Sequence, residues 1–183
     1  MSEPAAALVV IGSGNPSRGD DALGPEIISR LEHERERRPG WAGIELLTDF
    51  QLQVEHALDL EGRGLALFVD ASLSGAEPFG LHRVWPVQDT SYTSHALSAA
   101  AVLEVYARAT GRAPPPAFVL SVRGYRFELG EPLSESAREN LEAATAFAIA
   151  LCDDPRLRCW EPLLSPGPAP WELAGASCTL TRR

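Results

Sequence analysis

Three residues of this chain, Asp21, Asp70 and His95, could act together on a substrate. Two carboxylates and an imidazole form an oxygen and nitrogen donor set with open positions, which suits divalent first-row metals. The same groups can carry protons in general acid–base chemistry. Residue type alone does not single them out. An Asp at a strand end or helix start is often only a cap or turn former. A histidine near a helix N-terminus is usually a partly exposed polar residue. Asp70 resists such an explanation, because it ends an apolar run and would be costly there unless paired or solvated. The elements around the three residues are what make them a candidate site.

The stretch Val9 to Gly24, VVIGSGNPSRGDDALG, holds the first of them. Ala7 to Ile11 reads as a buried strand. It ends in a Gly-x-Gly-Asn turn, and the pair Asp20-Asp21 follows at the start of an amphipathic helix. That helix begins between Asp21 and Pro25, with Leu23, Ile27 and Leu31 at helical spacing. Pro25 is tolerated only in a first turn. The charged run Glu32 to Arg38 is the helix's solvated end, and Pro39-Gly40 stops it. Ile44 to Leu47 is a second strand, and Gln53 to Leu60 a short helix. Leu65 to Val69 is a third buried strand, ending directly on Asp70. Gly80 to Val87 has no clean polar face and reads as a strand nearer an edge, with Pro86 at its end. After a polar loop, Thr93 or Ser94 can cap a helix that carries His95 at its start and runs to about Thr110, with Gly111 at its C′ position. Ala117 to Val122 is another buried strand. Ser134 caps a last helix whose stripe is Ala137, Leu141, Ala144, Ala148 and Leu151.

Strands alternating with helices imply an α/β sandwich with a largely parallel sheet. Both faces of such a sheet must be covered, which fits the continuous apolar runs. Ligands of open α/β sheets bind at the carboxyl edge, where neighbouring strand ends come together. Asp21, Asp70 and His95 all belong at that edge. The acidic pair sits where a phosphate loop would want positive charge, so the edge suits a cation better than a nucleotide.

The bulk numbers narrow the class. The 183 residues suffice for one domain with a proper core. A net charge of −9 argues against electrostatic binding to nucleic acid or an anionic membrane. No segment is apolar for long enough to cross a bilayer. The N-terminus, MSEPAAALVV, lacks a basic n-region, so a cytoplasmic location is expected. The three cysteines, Cys152, Cys159 and Cys178, are odd in number and none are spaced as C-x-x-C, which points to reduced thiols. From residue 153 to 183 the composition turns Pro-rich, with Pro155, Pro162, Pro166, Pro168 and Pro170. The expectation is one α/β domain over 1–152 and a loosely attached extension over 153–183, with Trp160 and Trp171 able to pin parts of it.

Other residues carry less. His33 lies in a solvated charge run and His82 in an edge-like strand. Glu55-His56 could contact a ligand or be satisfied polar residues. Gly12-x-Gly14 is not a full dinucleotide fingerprint, no G-x-S-x-G elbow is present, and no cysteine has a histidine close by in sequence.

The chain resembles a known family at four places in order. Gly14-Asn15, Gly19-Asp20-Asp21 and Gly24 resemble the GN-x-x-x-x-DD-x-x-G opening of the [NiFe]-hydrogenase maturation proteases. FVDAS at Phe68 to Ser72 resembles the family's strand-Asp motif, and TSHALS at Thr93 to Ser98 its histidine motif. SVRGYRFELGEPLS at Ser121 to Ser134 resembles the late glycine segment before the last helix. The resemblance spans about Leu8 to Leu151. Thr48 to Gln53 departs from the Asp-Gly-Gly turn of many members and resembles a branch with Asp-x-Gln-Leu.

The resemblance implies a three-layer α/β/α sandwich of the phosphorylase/hydrolase-like type. It implies an aspartic-type, metal-dependent endopeptidase that trims the C-terminus of a hydrogenase large-subunit precursor. Asp21, Asp70 and His95 map onto the family's metal-contacting and catalytic positions. Nickel would arrive with the substrate and no organic cofactor would be needed. Asp21 could be ligand or general base. Asn15, Phe50, Gln51, Gln53 and Arg123 are candidate substrate contacts, although a surface salt bridge explains Arg123 equally well. A monomer is expected, since the substrate is itself a large protein. Two rivals stand beside this reading: a nickel-checking chaperone that binds the precursor without cutting it, and, by fold analogy, a nucleoside-type hydrolase.

Overall fold

A computed structural model of the chain describes residues 8–87 and 97–170. The strands are β1 (Leu8–Ser13), β2 (Ile44–Asp49), β3 (Leu65–Ser72), β4 (Phe79–Val84) and β5 (Ala117–Arg123). They form one five-stranded sheet in the order β2-β1-β3-β5-β4. All pairings are parallel except that of β4 with β5, which leaves β4 as an antiparallel edge strand. The helices are α1 (Leu23–Arg35), α2 (His56–Asp59), α3 (Ala99–Thr110), α4 (Glu135–Asp153) and α5 (Leu157–Trp160).

Alternation along the central strands builds two cores. Leu8 and Val10 of β1, Leu67 and Val69 of β3, and Phe118 and Leu120 of β5 face α1 and α4, meeting Ile27, Ile28, Leu31, Leu141, Ala144 and Ala148. Val9, Ile11, Ala66, Phe68 and Val119 face the other way, onto Ala57 and Leu60 around α2 and Val102, Leu103 and Tyr106 of α3. This is the three-layer α/β/α sandwich expected from the sequence. Parallel strands need crossover helices, and those helices cover both faces while leaving the strand ends open.

Two glycines hold α1 close to the sheet. A Cβ at Gly24 would run into the carbonyl oxygens of Ser13 and Val69, at the ends of β1 and β3. Gly14 has φ +145°, and a side chain there would collide with the Asp21 carbonyl. The helix start, and with it the acidic pair, is therefore pressed against the strand ends.

Some boundaries differ from expectation. β4 stops at Val84, before the Trp85-Pro86 step, because proline cannot donate to the ladder. The α2 helix is one turn long, since the Gln53 N–H donates to His56 Nδ1 at 2.9 Å and the preceding residues form a side-chain-bonded turn. Ser98 caps α3, its hydroxyl accepting from the Ala101 N–H at 3.2 Å; Thr93 and Ser94, expected in that role, lie outside the described residues. Gly111 ends α3 with φ 67°, as its C′ position required.

The expected loose attachment of the C-terminal extension does not hold for residues 154–165. Trp160 is 1% exposed, and its indole N–H donates to the Leu151 and Asp154 carbonyls at 3.1 and 3.0 Å. Its ring meets Phe118 edge-on with centroids 5.2 Å apart. Further on, Leu81 N–H donates to Ser165 Oγ at 3.0 Å and Ser165 N–H donates to the Leu81 carbonyl at 2.8 Å, so the tail covers part of the β4 edge. Proline broke the helical pattern in the sequence but did not prevent packing around one buried aromatic. Trp171 and Cys178 lie outside the described residues, and Cys152 and Cys159 are free thiols. Among the described residues no helix is long and apolar enough to cross a membrane.

Trp160→Ala is expected to lower the unfolding free energy by ~3–5 kcal/mol in urea titration, the range for emptying a buried aromatic site. A loss below ~1 kcal/mol would show that the tail contributes nothing to the core.

Candidate active site

The site is built where three parallel strands end side by side. Ser13 of β1 lies opposite Asp49 of β2, and Gly12 lies opposite Val69 of β3. Asp70 is the next residue of β3, so Asp49, Ser13 and Asp70 line one sheet edge in strand order. The backbone turns after Ser13 are tied to this edge, with the Gly14 N–H donating to the Asp49 carbonyl at 3.1 Å.

The adjacent acids Asp20 and Asp21 share a single turn of 3-10 helix (Gly19–Ala22) and go to different partners. Asp21 is half-buried, and its Oδ2 accepts the Asn15 N–H at 2.9 Å. The Asn15 Oδ1 in turn accepts the Ser17 N–H at 2.9 Å, which curls the loop over the site. Asp20 is 0% exposed and belongs to the fold instead. Its Oδ2 accepts from Tyr125 N–H (2.7 Å), Arg126 N–H (3.0 Å) and the Ser134 hydroxyl (2.8 Å), while Oδ1 accepts from Ser134 N–H (2.7 Å). Burial acts to raise its proton affinity, but the hydrogen bonds from Ser134, Arg126 and Tyr125 outweigh it and hold the carboxyl below the usual carboxylate range.

Asp70 has the opposite character. Its Oδ1 accepts the Ala71 N–H at 2.9 Å, and the Ser13 side chain bonds its carboxyl. The side chain is open to solvent on one side, while protein surrounds it at longer range. That burial, followed by the negative charge of Asp21, pushes its pKa up to about 7, and the bonds from Ala71 and Ser13 only partly offset this. The structure thus brings Asp21 and Asp70 together, close enough for one charge to shift the other's proton. His95 lies outside the described residues. The described chain resumes at Leu97, whose N–H donates to the Leu52 carbonyl at 3.3 Å, beside the end of β2. Among the described residues no group of three or more His, Cys, Asp or Glu is arranged to hold a metal ion.

The expected substrate contacts separate into two sets. Phe50 is 67% exposed and Gln51 is exposed, both on the turn after β2. Gln53 is exposed as well, but its amide is engaged, donating to Asp49 Oδ2 at 3.3 Å. Arg123 is occupied elsewhere. Its Nη1 donates to the Gly75 carbonyl at 3.1 Å, and its guanidinium stands 5.5 Å from the Tyr125 ring centroid. It braces the loop after β3, in place of the surface ion pair the sequence allowed.

Asp49 and Ser13 were not singled out from sequence, and His56 was read there as either a ligand contact or a satisfied polar residue. His56 is 8% exposed, and its Nε2 stands 3.8 Å from Asp49 Oδ2. Together with Gln53 this pins the turn that presents Phe50. The one available signal was position: Ser13 and Asp49 are the first polar residues after apolar strand runs that pair with each other.

An α/β/α sandwich with two carboxylates meeting at its carboxyl sheet edge is the class that fold and site define. No family model and no curated relative matches the chain. Several solved structures do share the fold. A [NiFe] hydrogenase maturation protease, HycI, from Thermococcus kodakarensis KOD1 superposes with a TM-score of 0.63 at 22% identity, over 81% of this chain and 93% of its own. The hydrogenase maturating endopeptidase HybD from E. coli gives a TM-score of 0.59 at 24% identity, over 80% and 92%. A hydrogenase 2 maturation peptidase from Thaumarchaeota archaeon SCGC_AB-539-E09 gives 0.55 at 20% identity, over 80% and 97%. At these identities what is shared is the fold, and the chain spans nearly the whole of each.

A carboxyl whose proton affinity rises on folding costs stability once the pH exceeds its unfolded value near 4 (~3.9). That cost grows until about pH 7, where folded Asp70 ionises. Asp70→Asn is therefore expected to stabilise the protein at pH 8 by on the order of 1 kcal/mol, after allowing for solvent screening, with no gain at pH 4. Denaturant midpoints at the two pH values check this; an equal difference at both would sink the raised pKa.

Proposed function

We propose that this protein is an endopeptidase that removes the C-terminal extension of a nickel-loaded [NiFe]-hydrogenase large-subunit precursor. The observation that carries the reading is the Asp21–Asp70 pair at the carboxyl edge of a fold shared with several hydrogenase maturation proteases. Two of the sequence segments that resemble that family, Gly14 to Gly24 and Phe68 to Ser72, carry these two acids.

The donor set fits a cation supplied by the substrate. Two carboxylates held together repel, and either a proton or a divalent ion between them relieves the repulsion. Oxygen donors with one imidazole, His95, would contact nickel without the thiolates needed to remove it from the precursor's cysteines. Nickel so held would polarise the scissile carbonyl or lower the pKa of an attacking water. Asp21 is the group to take the water's proton; Asp70, which keeps a proton near neutral pH, is the group to pass one to the leaving amine. Cleavage would then be gated by the presence of nickel. The exposed Phe50 and Gln51, on the turn after β2, would contact the precursor. The same proposal has the protein in the cytoplasm, acting as a monomer beside its large substrate, with no organic cofactor.

The test is intact mass of a nickel-loaded precursor incubated with and without the protein, beside a nickel-free precursor. One discrete C-terminal peptide should be lost from the loaded form only. Asp21→Asn and Asp70→Asn should each slow that loss by ~100-fold or more. Stable complex formation with no cleavage would replace this reading with that of a chaperone.

A further inference from the structure

We propose that Asp20 is a positioning residue for the active site, holding Asp21 in register with Asp70 through a seat formed by the 124–134 loop. The inference rests on the endopeptidase reading for its catalytic consequence and on geometry alone for the seat.

A carboxylate with no exposure needs compensation. Among the described residues none of it comes from a cation. All four hydrogen bonds to Asp20 come from backbone N–H groups of Tyr125, Arg126 and Ser134 and from the Ser134 hydroxyl, at 2.7 to 3.0 Å. Such bonds are directional, so they fix where the turn lies as well as satisfying the charge. Main-chain bonds secure the same turn from both sides. Gly19 N–H donates to the Glu131 carbonyl at 2.9 Å, Asp20 N–H to Arg126 at 2.7 Å, and Gly130 N–H to Ser17 at 2.7 Å. The fit is close: a Cβ on Gly124 would come within 3.0 Å of Asp20 Cβ.

Asp21 follows Asp20 directly, with one carboxylate oxygen tied to Asn15 N–H and its own N–H donating to the Arg18 carbonyl at 3.1 Å. It has no bond of its own to the 124–134 loop among those described. Its position relative to β3 is therefore inherited from Asp20, whose partners lie 105 to 114 residues away in sequence. A shift of about 1 Å in a reacting group is enough to cost ~100-fold in rate. A spacer without the four bonds would fill the volume but leave the turn free to rotate.

The experiment compares wild type, Asp20→Asn, Ser134→Ala and a stability control, Ala148→Gly, which weakens α4 away from the seat. Two readouts are taken: steady-state cleavage of the nickel-loaded precursor, and the Asp21–Asp70 carboxyl separation in a crystal structure of each protein alone. Asp20→Asn and Ser134→Ala should lower kcat by ~10-fold or more with KM within ~3-fold. They should also change that separation by about 1 Å or more as the turn is released. Ala148→Gly should lower Tm and leave both readouts in place. Unchanged kcat and separation in the two seat variants, or equal changes in the control, would overturn the inference. If Asp20→Asn does not fold, Ser134→Ala decides. A wild type that never cleaves, with seat variants that still change the separation, would sink the endopeptidase reading and uphold the seat.

Discussion

A negative charge removed from water dictates the geometry of this protein's carboxyl sheet edge. Asp20 has no exposed surface, and the loop before α4 wraps around its carboxylate with four donors. Ser134 serves twice, since its hydroxyl donates to Asp20 and accepts the Ala137 N–H at 3.3 Å as the cap of α4. One small side chain therefore joins the start of α4 to the turn before α1. Those two helices pack together on the same face of the sheet. The carboxyl sheet edge and the helical layer behind it are thus joined by one buried interaction.

Two neighbouring acids consequently have opposite electrostatic roles. Asp20 is saturated with hydrogen bonds and stays ionised. Asp21 and Asp70 have few donors and face each other, so the excess charge is expressed at the edge as a proton held up to about pH 7. Such a pair meets a cation or a developing positive charge more readily than a phosphate. The overall charge of −9 adds to the same bias.

The C-terminal segment solves a different problem. β4 is an edge strand, and its outward backbone groups at Leu81 are taken up by Ser165. Glu161 stands 3.5 Å from Arg83, whose guanidinium lies over the Trp85 and Phe118 rings. Trp160 anchors the segment underneath. A sheet that would otherwise end on a bare strand is partly covered on that side, away from the strand ends that carry the acids.

Much of this was legible in the sequence because it is local. Continuous apolar runs marked β1, β3 and β5, helical spacing marked α1 and α4, and Ser134 and Gly111 marked helix ends, all through interactions within a few residues. The placement of Asp21 and Asp70 at a common edge also followed, since parallel strands must end together. What local pattern left without a physical reason was the choice of Asp21 over Asp20, two identical side chains in one turn. Their difference comes from donors more than a hundred residues away, which only the folded chain brings to one of them. The attachment of the tail was hidden for the same reason, because prolines report on backbone continuity and say nothing of where a distant Trp160 finds its pocket. Local pattern determined the elements and the types of residue at the carboxyl sheet edge; tertiary packing decided which carboxylate is buried and which stays open at that edge, because desolvation and hydrogen-bond supply depend on neighbours in space.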